Sequence, residues 1–443
     1  MSKDLNPAPE QIVVGLDIGT TKICAIVGKR NEYGKINILG LGKADSDGVS
    51  RGVVVNIEKT VQAIREAVAE AEKHSGIKIE VVHVGIAGEH VRSMQHKGII
   101  TLNNPAFEIT QDEASRLHAD MFKIATQPGS EIIHVLPQEY TVDNQTGILD
   151  PIGMSGVRLE GNFHIVTGQT TAANNIYKCV RRADLEVAEL ILEPLASSSA
   201  VLTEEEKEAG VCLVDIGGGT TDVAVFENNI IRHTAVIPFG GNIVTEDIKH
   251  GFKVMKKHAE LLKRQFGSAL SEAIMDDVVI SIPGPRDRPA KEIHKRMLAQ
   301  VIQSRMEEIL EFVLAEIKNS GYEDKLVAGI VVTGGGAQLD HMKQCVEYVT
   351  GIDTRIGLPG EHLASGLVDE VNFPMYATGT GLVIMGLEAR EYAPIRTSSM
   401  PREQSYVGHQ SRGAQTGAPK ISFIDKVKTW FESTLTNTGE FIE

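Results

Sequence analysis

Short apolar runs alternate with amphipathic stretches along most of this chain. The runs at 12–18, 81–87, 211–226 and 327–333 are typical of buried β-structure. In the segments between them, apolar residues recur every three or four positions, which predicts helices. This alternation predicts an α/β fold.

Three helices are marked by their ends as well as by their apolar faces. Asn56 is placed to cap a helix that Gly76 ends, and its apolar face holds Ile57, Val61, Ile64 and Val68. Thr110 and Glu113 form a capping-box pattern ahead of Leu117, Met121 and Ile124. A long helical region ending near Gly321 is predicted by Ile293, Met297, Val301, Ile309, Val313 and Ile317. Faces of this kind usually pack against a core.

The end of the chain has a different pattern. Residues 389–419 lose the apolar periodicity and fill with Arg, Ser, Gln, Gly and Pro, which predicts a flexible linker. Residues 420–436 predict an amphipathic helix flanked by lysines that can lie on a membrane. Its proposed membrane-facing residues are Ile421, Phe423, Ile424, Val427, Trp430, Phe431 and Leu435. The alternative is a terminal helix that folds back onto its own core.

Composition and charge narrow the class of protein. The 443 residues are 42% hydrophobic and 23% charged, as in a soluble globular chain of several domains. The formal charge is −15, divided between −16 for residues 1–388 and +1 for residues 389–443. An acidic body disfavours nucleic acid as a partner. The four cysteines are far apart, which argues against a zinc site or a disulfide framework. With no apolar run of about 18 residues, we expect neither secretion nor a membrane span.

The strongest candidate chemistry is a motif that occurs twice. Each copy is a strand ending in an Asp, followed by glycines and hydroxyls: Asp17-Ile18-Gly19-Thr20-Thr21-Lys22 and Asp215-Ile216-Gly217-Gly218-Gly219-Thr220-Thr221. Such turns bring backbone N–H groups around a phosphate. Lys22 can add charge near the β- and γ-phosphates, and Asp17 and Asp215 can face one Mg²⁺ through water. One copy alone could be an ordinary turn, but two copies suggest two related domains facing each other.

A third glycine turn follows the strand that begins at Gly329. Gly334, Gly335 and Gly336 could lie flat against a base or ribose. No segment has the spacing GxxxxGK[ST], and no GxGxxG opens a βαβ unit. A P-loop and a Rossmann dinucleotide site are therefore both disfavoured.

These loops and the segment 377–382 resemble the actin, sugar-kinase and heat-shock-chaperone ATPase superfamily. Five further segments resemble the FtsA family of bacterial cell-division proteins: Leu136-Pro-Gln-Glu-Tyr140, Gly153-Met-Ser-Gly-Val157, Glu193-Pro-Leu-Ala-Ser197, Ile237-Pro-Phe-Gly-Gly241 and Ala259-Glu-Leu-Leu-Lys263. The resemblance implies an actin-like fold with two lobes around a nucleotide cleft and an FtsA-type inserted subdomain.

The resemblance also implies domain boundaries. The first lobe would comprise 12–84, 163–210 and 375–388, and the inserted subdomain 85–162. The second lobe would comprise 211–245 and 306–374, with a subdomain at 246–305. The linker 389–419 and the helix 420–436 would follow.

Further site residues come from the resemblance alone. It implies that Glu193 orients the attacking water, that Glu260 and Lys263 hold ribose and adenine, and that Gly240 and Gly241 line the nucleotide. As isolated features, Glu193 before a proline could be a surface turn. Glu260 and Lys263, three apart on a predicted helix, could be a solvated ion pair.

The function implied is that of an ATP-binding protein, with Mg²⁺ and at most slow hydrolysis. It would polymerise into actin-like protofilaments on the cytoplasmic face of the cell membrane at the division site, with other divisome proteins. It would anchor FtsZ there by binding the FtsZ C-terminal tail at 246–305, where Arg286, Lys295, Arg296 and Arg305 are candidate contacts. The alternatives are a sugar-kinase-type phosphotransferase, a pilus-assembly adaptor and a chaperone ATPase.

Overall fold

The computed structural model describes residues 12–102, 108–282, 289–364 and 366–391. The first elements are β1 (Ile12–Ile18), β2 (Lys22–Arg30), β3 (Ile36–Asp45), the short hairpin β4 (Val49–Ser50) and β5 (Val53–Val54), α1 (Ile57–Ser75) and β6 (Val81–Ile86). No helix within the described ranges is long and apolar enough to span a bilayer.

Both predicted ends of α1 are confirmed. The Asn56 side chain accepts a hydrogen bond from the backbone N–H of Lys59 at 3.0 Å, and Gly76 adopts the left-handed conformation with φ 69°. The buried face of α1 includes Val61, Ile64 and Val68 and lies in the core beside the strands of the first sheet.

A four-stranded sheet with its own core follows, which we call the inserted sheet. Its strand order is β7-β10-β8-β9, and α2 packs on it. The predicted capping box of Thr110 and Glu113 is present, but α2 ends before Ile124. The elements are β7 (Arg92–Thr101), α2 (Gln111–Met121), β8 (Ser130–Val142), β9 (Gln145–Ile148) and β10 (Arg158–Gln169).

The chain then completes the first sheet and builds a second. The next elements are α3 (Thr170–Arg182), β11 (Glu186–Leu192), α4 (Glu193–Val201), α5 (Glu204–Ala209), β12 (Val211–Ile216), β13 (Thr221–Glu227), β14 (Ile230–Ile237), α6 (Gly241–Phe252) and α7 (Lys256–Phe266). The last are β15 (Val279–Ile282), β16 (Lys291–His294), α8 (Lys295–Ser320), β17 (Ile330–Thr333), α9 (Met342–Thr350), β18 (Thr354–Ile356), α10 (Val368–Val371) and α11 (Ala377–Glu391).

The two five-stranded sheets have the same topology. Their orders are β3-β2-β1-β6-β11 and β14-β13-β12-β17-β18. In each, the first three strands are antiparallel and the last three are parallel. We call the parts around them the first and second lobes. The fold is thus the predicted actin-like α/β fold, and the repeated glycine turns follow equivalent central strands, β1 and β12.

One predicted helical position is wrong. Ile293 lies in β16, where it pairs with Ile280 of β15, and α8 begins two residues later at Lys295. Its buried side chain joins the second-lobe core, so the apolar signal was real but the backbone is extended. At the other end, α11 continues through Glu391, and the predicted helix at 420–436 lies outside the described residues.

Candidate functional site

The two glycine turns meet each other between the lobes. A Cβ placed on Gly218 would overlap the side chain of Thr21, and one on Gly219 would lie 2.5 Å from the Thr20 hydroxyl oxygen. Only glycine permits this approach of one lobe to the other. The contact between the turns brings together residues that are far apart in sequence, Gly19, Thr20 and Thr21 with Gly217, Gly218, Gly219 and Thr220.

Buried carboxyl groups lie beside these turns. Asp17 and Asp215 are the next-to-last residues of β1 and β12, and Asp222 lies on β13. The three residues are 7%, 8% and 4% exposed, respectively. Burial raises the pKa of all three, in the case of Asp222 to about 8. The acids therefore cannot all be ionised at neutral pH without a compensating cation.

Glu193 belongs to the same electrostatic cluster. It is the first residue of α4, directly after β11, and Gly85 on the neighbouring strand leaves room for its side chain. Burial raises the pKa of Glu193 well above its usual range, and the negative charges of Asp17, Asp222 and Asp215 raise it further. Glu193 and Pro194 thus begin a helix beside the carboxyl cluster and do not form a surface turn.

Lys22 is held inside the first lobe. Its ammonium lies 3.6 Å from the Asp17 carboxylate, donates to the backbone carbonyl of Met375 and sits 4.8 Å from the centre of the Tyr376 ring. Burial lowers its pKa, but Asp17 together with Cys24, Tyr376 and Asp215 outweighs this and raises the pKa of Lys22 overall. In this arrangement Lys22 neutralises one of the clustered acids.

Two hydroxyls hold Asp215 in place. Ser197 Oγ donates to its Oδ2 at 2.6 Å, and Thr378 Oγ1 lies 3.0 Å from Ser197 Oγ and 3.4 Å from the same carboxylate oxygen. Ser197 is on α4 and Thr378 is on α11, so the first lobe supports an acid of the second lobe. Sequence reasoning missed both residues because their partner is distant in the chain.

Asp222 is another acid that sequence reasoning did not select. Its Oδ2 accepts from the Thr220 hydroxyl at 3.1 Å, whereas its Oδ1 is buried without a hydrogen-bond partner among the described residues. Thr220, just before β13, and Asp222 are two positions apart, which was the available signal, since alternate residues of an extended chain point to one side. An unpaired buried carboxylate oxygen indicates a site for a cation or a donor.

The start of α6 packs on the second glycine turn. Gly241 N–H donates to Gly217 O at 2.9 Å, and a Cβ on Gly240 would lie 2.6 Å from the same carbonyl oxygen. The backbone N–H groups at this helix N-terminus therefore lie beside the turn, where they favour an anion.

Glu260 and Lys263 lie next to this helix start. Lys263 Nζ is 2.7 Å from Glu260 Oε2 and donates to Gly241 O and Thr245 Oγ1, both at 2.8 Å. Burial lowers the pKa of Lys263. Burial tends to raise the pKa of Glu260, but the charge and hydrogen bond of Lys263, together with the hydrogen bond from Thr245, lower it overall. The pair is half-buried in the cleft, and Thr245, which sequence reasoning missed, links it to α6.

The third glycine turn packs on the end of β12. A Cβ on Gly334 would overlap the Asp215 carboxylate, and one on Gly336 would overlap Ile216, whereas one on Gly335 would have no atom within 4 Å. Gly334 also has a φ of 85°, which favours glycine. The turn thus presents its middle residue, Gly335, to open space.

The candidate FtsZ contacts that the structure describes already have acidic or carbonyl partners. Arg305 pairs with Asp247 at 2.6 Å and with Glu308, and Lys295 lies 3.8 Å from Asp340. Arg296 donates to the Ile274 carbonyl at 2.9 Å. Arg286 and the seven predicted membrane-facing residues lie outside the described residues.

The arrangement suits a phosphate-bearing ligand with a divalent cation. Glycines that leave no room for a Cβ line the contact between the lobes. The clustered carboxyl groups of Asp17, Asp215, Asp222 and Glu193 outnumber the one ammonium among them, that of Lys22. Within the described ranges, no three His, Cys, Asp or Glu side chains converge to hold a metal ion by themselves. The excess of acid and the unpaired Asp222 oxygen nevertheless fit a cation.

Comparisons with known proteins agree along the chain. A family model described as Cell division protein FtsA matches residues 212–381, and one described as SHS2 domain inserted in FTSA matches residues 88–167. The chain is 40% identical over 422 residues to Cell division protein FtsA of Pseudomonas aeruginosa, covering 95% of this chain and 98% of the relative. It is 37% identical to that of Escherichia coli, covering 86% and 91%.

Solved structures share the fold at low sequence identity. A PilM-PilN type IV pilus biogenesis complex matches with a TM-score of 0.60 at 17% identity, covering 86% of this chain and 100% of that one. MreB5 of Spiroplasma citri bound to ADP matches with a TM-score of 0.53 at 14% identity, covering 85% and 96%. These structures show the actin-like architecture and nothing finer.

Proposed function

Because the chain belongs to the FtsA family of cell division proteins, we propose that it binds ATP and Mg²⁺ between its lobes and links FtsZ filaments to the cytoplasmic membrane. The observation that carries the nucleotide site is the contact between the two glycine turns beside buried Asp17, Asp215 and Asp222. The MreB5 structure with a similar fold holds ADP, which supports a nucleotide as the ligand.

Different residues of the site would hold different parts of the nucleotide. The turns at 19–22 and 217–220 would hold phosphates, while Glu260, Lys263 and the turn at 334–336 would hold the adenosine. Mg²⁺ would be bound through water and phosphate oxygens, with Asp17, Asp215 and Asp222 as outer anchors. Mg²⁺ supplies positive charge that lets these buried acids ionise.

Glu193 is the proposed water-positioning residue. A carboxylate must be ionised to accept a proton from water, and burial beside three other acids opposes ionisation of Glu193. Its basicity therefore depends on the charge balance of the cluster. This fits slow turnover or none, so that nucleotide serves mainly to hold the lobes together in a form competent to polymerise.

The adaptor role rests on the family and on the pattern at 420–436. One amphipathic helix should bind lipid marginally and reversibly, because most of its gross burial energy is offset by ordering and lost motion. A protofilament that displays many such helices would bind far more firmly. Self-association and membrane binding would therefore support each other. A sugar kinase or a pilus adaptor is less favoured, because the relatives with 36–42% identity are cell division proteins.

The nucleotide site is tested by Asp215→Ala, measured by competition against a fluorescent ATP analogue with and without Mg²⁺. We expect weaker binding and a smaller effect of Mg²⁺ in the variant. Asp184→Ala, at an exposed acid of the first lobe, is the matched control. Equal affinity of wild type and Asp215→Ala would refute the site.

The membrane role is tested by co-sedimentation with vesicles of anionic and neutral phospholipid, with FtsZ and ATP present or absent. The full chain should pellet and recruit FtsZ, whereas a 1–419 truncation and Trp430→Glu should not. Thr429→Glu adds the same charge to the polar side of the predicted helix and should still pellet. If the truncation pellets equally well, the tether is wrong. If the pelleted full chain fails to recruit FtsZ, the adaptor role fails.

A further inference from the structure

Arg51 lies where the two glycine turns meet. It is the turn residue of the β4–β5 hairpin, and a Cβ on Gly219 would lie 2.9 Å from its Cα and 3.0 Å from its backbone nitrogen. The next residue, Gly52, donates its N–H to Thr20 Oγ1 at 3.2 Å. The backbone around Arg51 therefore contacts both turns, one from each lobe.

The contacts of the second glycine turn also define where Arg51 lies along the cleft. The start of α6 contacts Gly217, Gly218 and Thr220 of the second turn, whereas Arg51 contacts Gly219 between them. Arg51 therefore lies at the part of the second turn that faces the first lobe. A nucleotide whose phosphates lie between the two glycine turns would have Arg51 at their junction.

The Arg51 side chain is weakly held. Its Nη1 is 3.7 Å from Glu89 Oε2, and the two side chains are 54% and 52% exposed. Such exposed pairs contribute little and exchange readily. Lys22 and Lys263, by contrast, are held by Asp17 and by Glu260 with neighbouring carbonyls. Arg51 is the cation of this region that a ligand can recruit most easily.

The backbone supports a role for the side chain. Arg51 has a φ of 50°, a left-handed conformation that is costly for residues with a Cβ. Gly would fit there without that cost. The two-residue hairpin turn requires a positive φ at both Arg51 and Gly52, and Asn or Gly is the usual residue at such positions. An arginine here, beside both glycine turns, is consistent with a role for its side chain.

We propose that Arg51 exchanges Glu89 for the terminal phosphate of the bound nucleotide and thereby distinguishes a triphosphate from a diphosphate. The planar guanidinium can donate two parallel hydrogen bonds to phosphate oxygens. Because it comes from the first lobe and contacts the second, it ties lobe closure to the third phosphate. This inference rests on the proposed nucleotide site.

The test compares ATP and ADP affinities, with Mg²⁺, in wild type, Arg51→Gln, Arg51→Lys and Arg51→Gly. Arg51→Gln should lose about 10- to 100-fold in ATP affinity, the range of a charged hydrogen bond, and less than about twofold in ADP affinity. Arg51→Lys should recover part of the loss. Arg51→Gly also removes the guanidinium, at a position whose φ suits glycine, so it should fold normally and show the same selective loss of ATP affinity. Arg65→Gln, at a half-exposed first-lobe arginine paired with Asp184, is the control.

The outcomes separate the two claims. A selective loss of ATP affinity supports Arg51 as the phosphate sensor. An unchanged ratio of ATP to ADP affinity in Arg51→Gln and Arg51→Gly, with wild type binding both nucleotides, overturns this inference alone. Wild type that binds neither nucleotide overturns the proposed function and this inference together.

Discussion

The imidazole of His134 accepts a hydrogen bond from the backbone N–H of Leu192 at 3.0 Å. His134 is on β8 of the inserted sheet, and Leu192 ends β11 of the first lobe, just before Glu193. Val166 of β10 and Val91, just before β7, pack with Leu192 and with Val236 of the second lobe. The inserted sheet therefore contacts both lobes.

This hydrogen bond predicts a dependence of stability on pH. Burial lowers the pKa of His134 to about 4, so its ring stays neutral in the folded chain, while an unfolded chain protonates it below about pH 6.5. The stabilising contribution is complete above about pH 6.5 and is lost as the pH falls toward 4, by up to about 1.4 kcal/mol per pH unit.

Urea unfolding between pH 7 and pH 5 checks this prediction. His134→Gln should lose less stability than wild type over that interval, because it cannot take up the proton. His96→Gln, at an exposed histidine of the same sheet, should behave like wild type. A His134→Gln variant with the wild-type pH slope would contradict the assignment.

Gln138 should contribute to stability through the contact between the inserted sheet and the second lobe. Its buried Nε2 donates to the backbone carbonyls of Ile231 at 2.8 Å and Arg232 at 3.3 Å, both on β14. Gln138→Ala should lower the free energy of unfolding by about 1–3 kcal/mol, because it removes the buried side-chain donor to the Ile231 carbonyl. Gln95→Ala removes an exposed donor to the Arg232 carbonyl and should cost less than about 0.5 kcal/mol. Equal losses of unfolding free energy in Gln138→Ala and Gln95→Ala would contradict the importance of burial at Gln138.

Asp222→Asn should change the response to alkaline pH in the nucleotide-free protein. With a pKa of about 8 in the folded chain, Asp222 retains a proton that the unfolded chain loses above about pH 4. The contribution of Asp222 to the free energy of unfolding therefore falls as the pH rises from about 4 to about 8. In Asp222→Asn, the free energy of unfolding should fall less steeply over this range. Denaturant unfolding at pH 6 and pH 8 measures the difference, and parallel slopes would count against a protonated Asp222.

Substitution of the two neighbouring glycines Gly334 and Gly335 should affect different properties, stability at Gly334 and ATP binding at Gly335. Gly335→Asp should fold normally, because a Cβ there has open space, but its carboxylate should weaken ATP binding by repelling phosphate. Gly335→Ala is its uncharged control. Gly334→Ala should destabilise the fold by more than about 1 kcal/mol, because of its φ of 85° and its overlap with Asp215. Thermal unfolding and nucleotide titration together distinguish the two effects, and a destabilised Gly335→Asp would contradict the geometry.

Local features were predictable from sequence, whereas features created by tertiary contact were not. Asn56 and Gly76 bound a helix because capping depends on residues close in the chain. Ile293 was misassigned because its backbone is fixed by pairing with β15, which no periodicity records. Within the candidate site, the glycine turns were recognisable individually. The supporting residues Ser197 and Thr378 were not, since they are defined only by their distance to Asp215.

The edge strand β14 has a further consequence. Three of its carbonyls, at Ile231, Arg232 and Thr234, accept hydrogen bonds from side chains of the inserted sheet rather than from another strand. An uncovered sheet edge is a template for pairing with strands of other molecules. The inserted sheet therefore also protects the β14 edge from pairing with other molecules. Substitutions that weaken the contact between the inserted sheet and β14 should first appear as a loss of solubility.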